Sequence, residues 1–249
     1  MILTVDVGNT NIVCGVFDGE KLVAKFRMPT QVGYNIEEDL QSNLAPYEIT
    51  GAILGSVVDN INDRLCCAIK NVCGVVPVVL SYQSDMPIKL KLKNNAEIGA
   101  DRIANGVRGW SLYKSAVLVV DFGTAITFDI VNSKGEFIGG LIAPGIKTQF
   151  ESLGKATSKL PNLDIDYIDK AIGNSTHDAI LSGVVRGVGA MIDGMLEQSI
   201  KELGENPKII ATGGFCNIVA KYMTHKFDLI SPDLTLEGLS DLYKCNKSA

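Results

Sequence analysis

One phrase of this sequence occurs twice, and each copy imposes the same local structure. Val5-Asp6-Val7-Gly8-Asn9-Thr10 follows the aliphatic run Met1-Ile2-Leu3-Thr4, and Val120-Asp121-Phe122-Gly123-Thr124 follows Ala116-Val117-Leu118-Val119. A second β-prone run leaves each copy, Ile12-Val13-Cys14-Gly15-Val16-Phe17 and Ala125-Ile126-Thr127-Phe128-Asp129-Ile130-Val131. Runs rich in valine and isoleucine suit buried strands. Glycine lets the backbone turn tightly and approach a ligand, so that successive N–H groups can face phosphate oxygens. The carboxylate just before it suits a hard cation, which takes oxygen ligands. Two such turns, half a chain apart, predict two lobes that grip one phosphorylated ligand.

Bulk properties narrow the classes. A chain of 249 residues is long enough for one large domain or two small ones. A net charge of −5 gives no electrostatic reason to expect nucleic acid. The alternation Lys89-Leu90-Lys91-Leu92-Lys93 reads as a strand with one solvated face. No apolar run reads as a membrane span and no basic-then-apolar leader opens the chain, so neither a membrane nor export is expected. The six cysteines form no C-x-x-C pair and read as reduced, small apolar residues of a cytoplasmic protein. His177 and His225 are the only histidines, and no metal-ligand cluster forms around them.

The coarse element pattern repeats as well. Strands are expected at 2–7, 12–18 and 21–28, an antiparallel meander turned at Asp18-Gly19. Helix 36–44, strand 51–56, helix 61–72, strand 75–80 and a helix opening at Gly99-Ala100-Asp101-Arg102 follow. The second half starts again with strands 116–121, 124–131 and 136–143, then helices 145–153 and 175–203, strand 208–212 and further helical pieces. This predicts an α/β protein of duplicated lobes, 1–115 and 116–249.

A third glycine turn, Thr212-Gly213-Gly214 after the strand Ile209–Ala211, would let a flat nucleoside lie against bare backbone, or serve simply as a turn. Neither a G-x-x-x-x-G-K-[ST] loop nor a strand-borne G-x-G-x-x-G is present, so phosphate transfer would not use a P-loop. Gly99-Ala100-Asp101-Arg102 pairs an acid with an arginine where a loop enters a helix. Asp101 is either a helix-terminal acid or the proton acceptor for an alcohol attacking phosphate, and Arg102 either a surface charge or a bidentate partner for a carboxylate. Asp6 is likewise either a turn-satisfying acid or a metal and phosphate contact.

Two Asp-x-Gly turns and a late Gly-Gly resemble the motifs of the acetate and sugar kinase, heat-shock ATPase and actin superfamily. Within it the chain resembles the type III pantothenate kinases along essentially its whole length. The resemblance rests on Asp6–Asn11, Gly99-Ala100-Asp101-Arg102-Ile103-Ala104-Asn105, Asp121–Ala125, Gly139–Gly145 and Gly173-Asn174-Ser175-Thr176, in that order. It implies duplicated actin-like (ribonuclease H-like) lobes with mixed sheets and flanking helices. It implies ATP-dependent phosphorylation of pantothenate, the first step towards coenzyme A.

Residue by residue, the resemblance implies that Asp6, Val7, Gly8, Asn9, Thr10, Asn11, Ile12 and Val13 line the ATP phosphates, Asp6 with the divalent Mg²⁺ or Mn²⁺. Asp121 would bind a monovalent cation, K⁺ or NH₄⁺, and Thr124 would touch ATP. Gly99, Ala100, Asp101 and Arg102 would contact pantothenate, with Asp101 as proton acceptor. Thr176 would contact pantothenate from the partner subunit of a homodimer, while Ser175 or Thr176 would equally serve as an N-cap. Ala179, Gly183 and Gly187, at four-residue steps with Ala190 beyond, suit a close helix crossing of either kind. The chain departs from the family at Lys93-Asn94-Asn95-Ala96-Glu97, where relatives carry Asn-Pro and an upstream tyrosine, so an aromatic substrate contact does not carry over. Two alternatives share the pattern: a nucleotide-sensing accessory transcription factor, and a kinase of the same fold acting on another small alcohol.

Overall fold

A computed structural model describes residues 1–31, 33–156 and 165–247. In chain order the elements are β1 (Ile2–Val7), β2 (Asn11–Asp18), β3 (Lys21–Pro29), α1 (Ile36–Leu44), β4 (Gly51–Ser56), α2 (Asp59–Cys73), β5 (Val78–Val79) and β6 (Lys89–Leu90). After a short 3₁₀ turn come α3 (Ala100–Tyr113), β7 (Val117–Phe122), β8 (Ala125–Val131), β9 (Glu136–Pro144), α4 (Ile146–Ala156) and α5 (Thr176–Leu181). A π-helical turn at Ser182–Arg186 joins α5 to α6 (Gly187–Leu203); β10 (Lys208–Gly213), α7 (Cys216–Val219), β11 (Leu229–Ile230) and α8 (Leu234–Asn246) complete the order.

The chain divides into two compact units, Met1–Leu112 with Gly135–Phe137 and Asp233–Ala249, and Tyr113–Lys134 with Ile138–Pro232. The sheet orders are β3-β2-β1-β4-β5 and β11-β10-β7-β8-β9-β6. Read from β9, the second repeats the first strand for strand, with β7 standing for β1 and β10 for β4. In the first sheet β1 pairs antiparallel with β2 and parallel with β4; in the second β7 pairs antiparallel with β8 and parallel with β10. The central strands are therefore buried and nearly continuous in aliphatic residues, while β3 and β9 at the flanks alternate.

Register puts both repeated acids at matching places. Asp6 faces Val13 on one side and Gly55 on the other; Asp121 faces Thr127 and Thr212. The first core gathers Leu3, Val5, Val7, Leu40, Leu54, Leu65 and Ile69 beneath α1 and α2. The second gathers Leu118, Val120, Phe122, Phe128, Val185, Ile192 and Leu196.

Three expectations change in detail. Helix α8, expected within the second half, belongs to the first unit, because its buried Leu234, Leu236, Leu239 and Leu242 and its Gly238 pack on that unit's β1, β4 and α3. The strand expected at 75–80 is reduced to Val78–Val79. The helix from Thr176 to Leu203, 28 residues, is long and apolar enough by composition alone to cross a membrane, contrary to the sequence expectation. Its Leu181, Val184, Val185, Val188, Ile192 and Leu196 are buried in the second core, as in the central helix of a globular unit. Replacing fully buried Leu196 by alanine should therefore cost about 2–5 kcal/mol in urea unfolding. A loss of only a few tenths would place that face of the helix outside the core.

Candidate active site

The end of β1 and the start of β2 form the first glycine turn. Asp6 is half-buried at the strand end, Val7 and Ile12 are buried, Gly8, Asn11 and Val13 are half-buried, and Asn9 and Thr10 are exposed at the tip. The Gly8 amide donates to the Asn11 carbonyl at 3.0 Å and closes the turn. Two bonds then fasten it to the chain just after β3. The Thr30 amide donates to the Thr10 carbonyl at 3.1 Å, and the Thr30 hydroxyl donates to the Gly8 carbonyl at 2.7 Å.

The second copy is one residue tighter. The Gly123 amide donates to the Ala125 carbonyl at 3.0 Å, and Thr124 is exposed at the tip. Its clasp comes from the corresponding place, just after β9. The Gly145 amide and the Thr148 hydroxyl both donate to the Thr124 carbonyl, at 3.0 and 2.7 Å. Gly145 has no room for a side chain: a Cβ there would stand 2.4 Å from the carbonyl oxygens of Gly123 and Thr124. Gly213, with φ +89°, lies on the other side, and a Cβ there would meet the Phe122 backbone at 2.7 Å. Asp121, Gly123, Thr124, Gly145 and Gly213 thus form one backbone-packed cluster. Cys216 belongs to its base, donating to the Gly213 carbonyl, and burial raises its thiol pKa.

In the first unit the structure also joins the Asp6 turn to the Asp101 helix, and β4 is the link. The Val57 amide donates to the Val7 carbonyl at 3.1 Å, extending the β1–β4 ladder past Gly55. Gly55 and Val57 then meet α3: a Cβ at Gly55 would lie 3.5 Å from that of Ala100, and one at Gly99 would lie 3.2 Å from Val57 Cγ1. Sequence reading missed Gly55, Val57 and Thr30. A glycine one residue before the end of an aliphatic strand was the available signal for Gly55.

Asp101 stands in the first turn of α3, and its Oδ1 accepts the Arg102 amide at 2.8 Å. Burial raises its carboxyl above the ordinary aspartate value, while the Arg102 amide and guanidinium pull the other way without cancelling it. Gly99 is required beside it, because a Cβ at that position would stand 2.4 Å from Asp101 Oδ1. The Arg102 guanidinium lies over the Phe137 ring, 5.6 Å from its centroid. The preceding Asn94–Glu97 stretch is a 3₁₀ turn whose cap Asn94 accepts the Ala96 amide and donates to Glu97.

Thr176 is exposed on another element of the second unit, the first turn of α5. The cap there is Ser175, which accepts the Asp178 amide at 3.1 Å and leaves the Thr176 side chain uncommitted to that role. Among the described residues no group of three or more His, Cys, Asp or Glu side chains could cage a metal ion.

Comparison with known proteins bears on this arrangement as a whole. Residues 2–198 match the model of the type III pantothenate kinase family. The type III pantothenate kinase of Persephonella marina is 36% identical over 253 residues, covering 98% of each chain. Among solved structures, a conserved putative Baf family transcriptional activator from Campylobacter jejuni covers 99% of this chain and 100% of its own at TM-score 0.62 and 22% identity. The ROK hexokinase of Thermus thermophilus covers 97% of each chain at TM-score 0.52 and 14% identity, a likeness of fold.

Alanine at Gly99 should displace the Asp101 carboxylate with circular dichroism unchanged, and if that carboxylate is the expected proton acceptor, turnover should fall roughly tenfold or more. Asp101→Asn tests the burial effect with a definite sign. A folded-state value above the ordinary one means that the stability this group contributes is complete below about pH 4 and is lost as pH rises through the raised value. The asparagine variant should therefore melt no lower than the parent at neutral pH, and the difference should close on acidification. An asparagine variant that melts lower at pH 7 than at acid pH relative to the parent would contradict the assigned direction.

Proposed function

The chain belongs to the type III pantothenate kinase family and has its actin-like α/β fold, and on that premise we propose that it transfers the γ-phosphoryl group of ATP to the primary hydroxyl of pantothenate, with Asp101 as proton acceptor. The observation that carries this reading is the Asp101 carboxylate. It is half-buried at the start of α3, has its room beside Gly99, and is joined through β4 to the Asp6 turn of the same unit. The hydroxyl oxygen bonds to the γ-phosphorus, its proton passes to Asp101, and the bond to the bridging oxygen breaks as ADP leaves. Such transfer depends on positioning and charge stabilisation rather than on a covalent enzyme intermediate. A base with a raised pKa also takes the proton more readily, provided the pH lies above its value.

The remaining roles follow the two turns. Residues Asp6–Val13 bind the ATP phosphates, with the Thr10 hydroxyl as one donor. A divalent ion brought with ATP would neutralise phosphate charge, and Asp6 would hold it. A single carboxylate such as Asp6 fits that ion, because Mg²⁺ keeps several waters and takes one or two carboxylates besides phosphates. In the second unit Thr124 meets ATP, and Asp121 at the end of β7 holds K⁺ or NH₄⁺. Gly99, Ala100 and Arg102 contact pantothenate, the planar Arg102 fork matching its carboxylate.

Thr176 completes the substrate contacts from a partner subunit, in a cytoplasmic homodimer. The helix that begins at Thr176 supports this pairing: Ala179, Gly183, Gly187 and Ala190 are all exposed, and Ile142 and Ile172 are exposed elsewhere in the same unit. Small residues on an open helix face let two backbones approach closely.

Incubation with ATP, Mg²⁺, K⁺ and pantothenate should yield phosphopantothenate by mass spectrometry, with Asp101→Asn yielding none. Full activity in sodium-only buffer would remove the role of Asp121, and no product from folded protein would overturn the reaction. Light scattering should report a dimer, and Gly187→Arg, which adds bulk to the exposed face, should give monomers of low activity.

A further inference from the structure

The C-terminal helix is fastened to the helix that carries Asp101, and it is fastened close to the Asp101 end. Thr235 Oγ1 donates to Asn105 Oδ1 at 2.8 Å, and Asn105 is completely buried. Gly238 lies directly on the backbone of α3: a Cβ there would stand 2.1 Å from the Ala104 carbonyl oxygen and 2.7 Å from its carbon. One turn further on, Arg108 bonds Glu237 through Nε and Asp241 through a terminal nitrogen, each at 3.0 Å.

Leu239 reaches the other support of the site. A Cβ at Gly55 would stand 2.8 Å from Leu239 Cδ2 and 3.5 Å from Ala100 Cβ, so α8, β4 and the first residue of α3 meet at one point. Gly55 is also the parallel partner of Asp6.

We propose that Thr235 and Gly238 are positioning residues for the proton-accepting carboxylate: by fixing α3 at Ala104 and Asn105, α8 sets where Asp101 stands beside the Asp6 turn. The proposal rests on the reading of Asp101 as proton acceptor. Its physical basis is stiffness. Asp101 is less than one helical turn from Ala104, so a displacement there is carried to it almost undiminished. The contact at Gly238 is backbone against backbone and has no flexible side chain to absorb a change. The Thr235 bond is half-buried and ends on a fully buried side chain, so its loss removes a direct tie between α8 and α3.

The test is steady-state kinetics with ATP and pantothenate on Thr235→Val, Thr235→Ser, Gly238→Ala and Asp101→Asn. Thr235→Val should lower kcat roughly tenfold while the KM for ATP changes by less than about twofold, as expected for a displaced reacting group. Its pH–kcat profile should shift on the acid side, because the Asp101 environment has changed. Thr235→Ser, which keeps the hydroxyl, should restore both, and Gly238→Ala should be worse than Thr235→Val. A Thr235→Val protein that melts lower yet turns over at the parent rate would overturn the proposal, as would a serine variant no better than the valine one. Should Gly238→Ala fail to fold, the valine–serine pair decides alone. Parent-level turnover by Asp101→Asn would instead strike the proton-acceptor reading, so the two failures are distinct.

Discussion

In each unit a turn that ends the first strand is held by the chain that leaves the third, and the exposed chemistry depends on that clasp. Thr10 and Thr124 each give up their carbonyl to it. In a trans peptide the carbonyl and the next amide point in opposite directions. Binding the carbonyl inward therefore turns the following N–H, of Asn11 or Ala125, away from the clasp. A turn that would otherwise sample many conformations is fixed with its hydroxyl side chain exposed and one amide orientation set. That is the preorganisation a phosphate or cation site needs, because no ordering remains to be done when the ligand arrives.

The clasps are not equivalent, and their difference suits unequal duties. The first turn is the longer and is tied by a threonine through amide and hydroxyl. The second is tighter and is enclosed by Gly145 and Gly213, where backbone meets backbone on both sides. Such packing leaves little freedom to adapt. A small ion of fixed size tolerates a rigid site, whereas a triphosphate with several rotatable bonds suits the longer turn. The division of roles proposed for Asp6 and Asp121 follows this contrast in stiffness.

How much of this was legible in the sequence follows the range of the interactions. The meander β1–β3 was readable because its signals are local: period-two patterning and an Asp18-Gly19 turn, with Gly19 at φ +62°. The repeat was readable because both copies keep the same residues at the same turn. What lay hidden depends on chain brought from far away. Nothing near Leu234 says that α8 packs on α3, some 130 residues earlier, as the Thr235–Asn105 bond requires. Thr30 lies two residues beyond the strand expected at 21–28, and nothing next to it in sequence points to the turn it grips. Ser175 and Thr176 were equal as caps until φ and ψ placed Ser175 outside the helix. The π-helical turn at Ser182–Arg186 has no sequence signal that separates it from ordinary helix.

The role proposed for Asp101 sets function against stability in the first unit. Its carboxylate would be more stable in water, and the helix terminus and the Arg102 amide offset only part of the cost of burying it. Left to itself, the first turn of α3 would relax by fraying, since helix ends hold few backbone bonds. The contacts from α8 fall at Ala104, Asn105 and Arg108, in the turns just behind that end. Gly99 removes the remaining obstacle on the other side. A carboxylate held at a desolvation cost persists only where its surroundings leave the helix end no alternative, and the return of the C-terminal helix to this unit supplies that constraint.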